Sequence, residues 1–175
     1  MDLLENYRTL VERVDALAGR IEEAFSDEIA CHRGCDSCCR HLSVFPVEGY
    51  ALARALEEMP EKAANRLRGL ARKVAPDAPC PLLKGGECLL YSARPIICRT
   101  HGLPLLTGEG GERRIDFCPQ NFTGAASLPA EAVINLDLLN ATLATVNGLF
   151  VAEKYQGTPP EAPRLSLADA LLSSW

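Results

Sequence analysis

The chain has 175 residues, of which 47% are apolar and 23% are charged, a composition that suits one folded domain. Its formal net charge of −5 removes the general attraction to phosphate on which most nucleic-acid-binding proteins depend, so we expect no nucleic-acid partner. No run of about eighteen apolar residues occurs, so we also expect no membrane-spanning helix and no membrane partner.

Residues 1–29 are predicted to form the first helix, because apolar residues recur at spacings of three and four. These residues are Leu3, Tyr7, Leu10, Val14, Leu17, Ile21 and Phe25. Acidic residues begin at Asp2, and the segment lacks the basic start and continuous apolar run of a signal peptide. We therefore expect a cytoplasmic protein.

Two further helices are predicted next. The first runs from Pro46 to Met59, with proline in its first turn, and the second begins at Pro60 and ends near Val74. The pattern then changes between Pro79 and Pro119, where short apolar runs flank glycines.

Glycine pairs in this segment predict two β-hairpins, one around Gly85-Gly86 and one around residues 108–111. Such short strands and turns offer too little regular structure for a separate core. We therefore expect a bound metal to hold the segment together.

Helical spacing returns from Pro129 to Tyr155, and Pro159 and its neighbouring prolines end it. Ser166 is predicted to cap a last short helical turn, with Asp169 as the acid three residues later.

These elements predict a mainly α fold with a small irregular β-hairpin region, in which helices pack around a cysteine-rich metal-binding centre. We expect a single domain over residues 1–175. It comprises the N-terminal helix (1–29), a cysteine-cluster metal-binding region (30–120) and C-terminal helices (129–175).

Eight cysteines make up about 5% of the chain, below the roughly 8–10% typical of secreted disulfide scaffolds. Because cytosolic thiols are kept reduced, we interpret all eight as metal ligands. They are Cys31, Cys35, Cys38, Cys39, Cys80, Cys88, Cys98 and Cys118. The even number would equally suit four disulfides in an exported protein, so a disulfide-stapled binding module stays an alternative.

The first four cysteines lie at positions i, i+4, i+7 and i+8, which share one face of a helix. This spacing predicts at least a partly helical turn between Cys31 and Cys39, with Gly34 as the residue most able to interrupt it. The residues between and beside these cysteines are mostly polar and leave little to pack in a core, which favours ligation over simple burial.

The last four cysteines are spread between Cys80 and Cys118, with seven and nine residues separating the first three. Thiolates need compensating charge, and four arginines lie close in sequence to these sulfurs. They are Arg94, Arg99, Arg113 and Arg114. The last two equally suit a solvated surface.

Two catalytic interpretations fit the sequence less well than metal ligation does. The spacing from Cys31 to Cys38 matches the cluster ligands of radical enzymes that cleave S-adenosylmethionine, but the chain lacks their alternation of strands and helices. A cysteine nucleophile would need a histidine partner, and eight thiols far exceed that requirement. His32, His41 and His101 all lie within three residues of a cysteine. We assign no catalytic residue.

The segments CHRGCDSCC and CPLLKGGECLLYSARPIICR, followed by Cys118-Pro119, resemble the YkgJ-type cysteine-cluster family. That family is described as a zinc- or iron-chelating domain, and the resemblance extends from about Cys31 to Pro119. It implies that all eight cysteines occupy motif positions. One departure is that three residues separate Cys31 from Cys35, where the family often has two.

The expected function is metal binding, in a structural or metal-handling role, with zinc or iron as the metal. Tetrathiolate sites suit both Zn²⁺ and iron–sulfur clusters. An enzyme or redox protein with an iron–sulfur cluster is the second interpretation. Eight thiols allow two sites, one shared polynuclear site, or one site with spare thiols.

Overall fold

The computed structural model describes residues 2–32, 34–75, 78–108, 111–156, 160 and 162–175. This part of the chain is mainly helical. Its helices are α1 (Glu5–Ala24), α2 (Pro46–Glu57), α3 (Glu61–Ala71), α4 (Ile96–Thr100), α5 (Leu136–Lys154) and α6 (Leu167–Leu172), with 3₁₀ turns at Tyr91–Ala93 and Ala130–Ala132. The predicted mainly α fold is confirmed, although the short α4 was not expected.

The strands are two or three residues long: β1 (Ser43–Val44), β2 (Leu83–Lys84), β3 (Glu87–Cys88), β4 (Leu105–Thr107), β5 (Arg114–Asp116), β6 (Ile134–Asn135) and β7 (Leu165–Ser166). The antiparallel pairs β2–β3 and β4–β5 confirm both predicted hairpins. Residues 109 and 110 of the second turn lie outside the described residues, as does Pro159. The helix predicted from Pro129 to Tyr155 begins later than expected, because a 3₁₀ turn and β6 precede α5.

Two strand pairings join segments that are distant in sequence. The strand β4 pairs in parallel with β6, and β1 pairs antiparallel with β7, so the C-terminal segment contacts the chain just before α2. Ser166 caps α6 as predicted, since its Oγ accepts a hydrogen bond from the Asp169 amide at 3.0 Å.

Three groups of buried apolar side chains hold these elements together. The first lies among α2, α3 and α6, the second among α1, α2, α4 and α5, and the third between the C-terminal half of α1 and the chain that follows α4. None of the helices in the described ranges is long and apolar enough to cross a membrane.

The segment between Pro79 and Pro119 contributes to all three groups. Its side chains Leu82, Leu90, Ile96 and Leu103 are each at most 5% exposed. The expectation that a metal must hold this segment for want of a core is therefore corrected, because packing against the helices already anchors it.

Candidate metal centre

The first four cysteines lie in the loop that leads from α1 to β1. This loop is built of successive turns, in which the Cys35 amide donates to the His32 carbonyl at 3.0 Å and the Cys39 amide donates to the Asp36 carbonyl at 2.9 Å. The predicted helical turn is wrong because Gly34 takes a left-handed conformation (φ +101°) that ends any helix there.

Asn121 joins this loop to the segment that follows α4. Its role could not be predicted from the sequence, where its only notable feature is its place three residues after Cys118. Its side chain is 1% exposed. Its Oδ1 accepts from the amides of Ala30 (2.9 Å) and Cys31 (3.2 Å), while Nδ2 donates to the Gly102 carbonyl (2.7 Å) and to the Cys31 sulfur (3.3 Å). One amide side chain thus satisfies four groups.

Gly102 allows Cys31 and Cys118 to approach one another. Its φ is +91°, and a β-carbon at this position would lie 2.7 Å from Cys31 Sγ and 3.6 Å from Cys118 Cβ. The Gly102 carbonyl also accepts the Cys118 amide at 3.2 Å. Residue 102 must therefore be glycine for both backbone and spatial reasons.

Cys80 and Cys88 are positioned by short backbone pairings. An antiparallel bridge between Arg40 and Pro79 sets Cys39 opposite Cys80. The Cys80 carbonyl accepts the Leu83 amide at 3.0 Å, and Leu83 faces Cys88 across the hairpin. Cys98 lies in α4, so a helix, a hairpin and a loop bring cysteines from separate segments together.

Seven of the eight predicted ligands line one cavity of about 190 Å³. They are Cys31, Cys35, Cys38, Cys39, Cys80, Cys88 and Cys98. Cys118 lies beside it, with its side chain within hydrogen-bonding reach of Cys31. All eight thiols are free and partly buried. In the described part of the chain, however, no group of three or more cysteine, histidine or carboxylate side chains is arranged closely enough to hold a metal ion.

Burial raises the pKa of most of these thiols, and neighbouring sulfurs add to the effect. The pKa rises to about 11 at Cys31 and Cys80 and to about 12 at Cys98. The pKa values of Cys38, Cys39 and Cys88 are raised for the same reason. A metal ion must therefore displace protons from these sulfurs in order to bind.

Among the residues that the structure describes, only one of the four arginines that were predicted to compensate thiolate charge is seen to act on a thiol. The Arg99 guanidinium is engaged by Asp15 at 2.5 Å and by the carbonyls of Ser92 and Arg94, so it joins α4 to α1. Arg94 lines the cavity, and its charge lowers the pKa of Cys88 against the larger effect of burial. Arg113 and Arg114 are exposed.

The three histidines have different surroundings. His32 and His101 line the cavity, and burial lowers the pKa of His101 and favours its neutral form. His41 lies beside α6, where its Nε2 accepts the Ala168 amide at 3.3 Å. His41 therefore serves to attach α6, and it is not among the described residues that line the cavity.

The model of the CxxCxxCC family, described as a "putative zinc- or iron-chelating domain", matches residues 30–119, just over half of the chain. The matched range contains all eight cysteines. No curated protein and no solved structure matches the chain.

Proposed function

Because the chain belongs to the CxxCxxCC family, we propose that it binds zinc or iron through its eight cysteines, in a structural or metal-handling role. The resemblance noted in the cysteine motifs is confirmed by this membership. The role, the choice of metal and the individual ligands are parts of the proposal.

One observation supports this metal-binding proposal most strongly: free thiols from a loop, a hairpin and a helix line one cavity. Thiolate donors select soft or borderline cations such as Zn²⁺ and iron in clusters, and they do not suit Mg²⁺ or Ca²⁺. Free thiols also fit a reducing compartment, which supports the proposed cytoplasmic location over a disulfide-stapled module.

Elemental analysis and the visible spectrum of anaerobically purified protein test the proposal. Bound zinc gives a colourless protein, whereas an iron–sulfur cluster gives a brown one and favours the redox or enzyme interpretation. Protein that contains neither metal, and takes up neither when it is reduced and reloaded, contradicts the proposal.

Substitutions test the ligands themselves. Cys98→Ser keeps the size of the side chain but replaces a soft donor, so we expect it to lower the metal content. Ser37→Ala is the matched control, because Ser37 lies in the same cysteine loop, 3.7 Å from Cys35 Sγ, without being a proposed ligand. Full metal content in Cys98→Ser contradicts a ligand role for Cys98.

A further inference from the structure

We propose that the cysteines form two separate metal sites of four thiolates each, an inference that rests on the proposed metal-binding function. The first set is Cys31, Cys35, Cys38 and Cys118. The second set is Cys39, Cys80, Cys88 and Cys98.

The second set is defined by backbone geometry. The bridge between Arg40 and Pro79 places Cys39 opposite Cys80, and the β2–β3 hairpin folds Cys88 back towards the turn that starts at Cys80. Cys98 comes from α4, and all four residues line the same cavity.

Electrostatic contacts agree with this grouping. After burial, the neighbours that raise the pKa of Cys98 are Cys80, Cys88 and Cys39. The pKa of Cys80 likewise responds to Cys88 and Cys39, and the pKa of Cys39 responds to Cys88 and also to Cys35 and Cys38 of the first set. Cys98 is therefore affected by all three other thiols of the second set, and Cys80 and Cys39 are each affected by Cys88.

The first set is built around the contact between Cys31 and Cys118. Asn121 and Gly102 hold these two residues together, as described above. Cys31 also lies within electrostatic reach of Cys35, and Cys38 within reach of Cys35 and Cys118. Neither Cys31 nor Cys118 is among the groups that affect Cys80 or Cys98.

The two sets meet at Cys38 and Cys39, whose thiols are within hydrogen-bonding reach. The Cys39 amide closes a turn that contains Cys38, whereas Cys39 itself is followed by Arg40, which pairs with Pro79. The backbone therefore changes from a turn to a strand-like pairing after Cys38. Cys38 therefore belongs to the turn of the first set, and Cys39 leads into the strand pairing of the second.

The charges around the two sets differ. Four thiolates and one divalent cation leave a net charge of −2, which polar donors must offset. The first set has the Asn121 amide donating to Cys31 Sγ. The second set has Arg94, whose charge acts on Cys88 and whose buried Nε has no acceptor among the described residues.

Titration of reduced, metal-free full-length protein with Co²⁺ tests this division, because tetrathiolate Co²⁺ has an intense visible spectrum that can be counted per chain. We expect two equivalents in the unaltered protein. One equivalent, or a number above two from a shared polynuclear centre, overturns the division but leaves the proposed function intact. Absence of any thiolate-bound Co²⁺, Zn²⁺ or iron contradicts the proposed function itself.

Two double variants that each lack two thiols give a matched comparison. Cys35→Ser/Cys38→Ser removes two of the four ligands of the first set and none of the second, so it should keep one tetrathiolate equivalent in the presence of a competing chelator. Cys35→Ser/Cys80→Ser removes one ligand from each set and should keep none. Equal tetrathiolate signals from the two variants overturn the division, with circular dichroism confirming that both are folded. If either variant fails to fold, the number of Co²⁺ equivalents bound by the unaltered protein decides whether there are two sites.

Discussion

Gly102 and Asn121 bring Cys31 and Cys118 together, although neither residue has a side chain that suits zinc or iron. Glycine removes the β-carbon that would meet the Cys31 sulfur, and the Asn121 amide holds the backbone on both sides. Sequence spacing could identify the cysteines but not the roles of Gly102 and Asn121. These roles depend on contacts between residues that are 19 to 91 positions apart in the chain.

Gly102→Ala should destabilise the protein and lower its metal content. A left-handed conformation costs a non-glycine residue about 1–2 kcal/mol, and the new β-carbon would also press on Cys31 Sγ, 2.7 Å away. Gly111→Ala is the matched control, since Gly111 has φ +85° with open space around it. Urea denaturation should show the larger loss for Gly102→Ala, and equal losses would contradict the steric argument.

Asn121→Asp should also destabilise the fold, by about 1–3 kcal/mol, because a buried carboxylate keeps the acceptor but loses both donated hydrogen bonds. The added negative charge would face the Gly102 carbonyl and the Cys31 sulfur. Thermal denaturation measures the effect. A melting temperature unchanged from that of the unaltered protein would show that the amide does not support the loop.

The buried thiols predict a pH dependence for the metal-free protein. Burial raises the pKa of Cys98 from 9.0 to about 12, so the unfolded chain loses this proton first as the pH rises. The contribution of Cys98 to stability is complete below pH 9.0 and is lost as the pH approaches about 12. Urea denaturation across this range should show a shallower decline in Cys98→Ala, and parallel curves would refute the linkage.

Glu48 connects α2 to α4 and so positions the helix that carries Cys98. Its Oε2 accepts the Phe45 amide at 2.9 Å and its Oε1 accepts the Ile96 amide at 3.0 Å. The side chain is 2% exposed, and burial raises its pKa. Both first turns thus depend on one buried carboxyl group.

Glu48→Gln should destabilise the protein by about 1–3 kcal/mol, because the amide group offers one acceptor and turns a donor towards a backbone N–H. Glu57→Gln, on the same helix, removes a surface ion pair with Arg54 and should change stability by no more than a few tenths of a kcal/mol. Urea denaturation of the two variants compares them. Similar stabilities would contradict the structural role of Glu48.

The sequence predicted the longer helices well because each has a buried stripe at helical spacing, as with Tyr7, Leu10 and Val14 in α1. The helical spacing was misleading between Cys31 and Cys39, because these cysteines lie in turns around Gly34 and not in a helix. The hairpins were predictable from their glycines, but β6 and β7 were not, because their partners lie elsewhere in the chain.

The cysteine-bearing segments are packed against the helical cores, so metal removal should not unfold the whole chain. Leu82, Ile96 and Leu103 remain buried by packing whatever the thiols bind. We expect chelation to lower the melting temperature while leaving most of the far-ultraviolet circular dichroism signal at low temperature. A metal-free protein with an unchanged melting temperature would show that bound metal adds nothing to stability, and complete loss of helix would show that the cores depend on the metal.

Residue-resolved alkylation tests whether these eight cysteines bind metal in the folded chain. The folded, metal-loaded protein and the chelated protein are treated with a thiol reagent under reducing, anaerobic conditions, and mass spectrometry locates each modified cysteine. We predict that all eight are protected when metal is bound and that their modification increases after chelation. Identical modification with and without bound metal would contradict the claim.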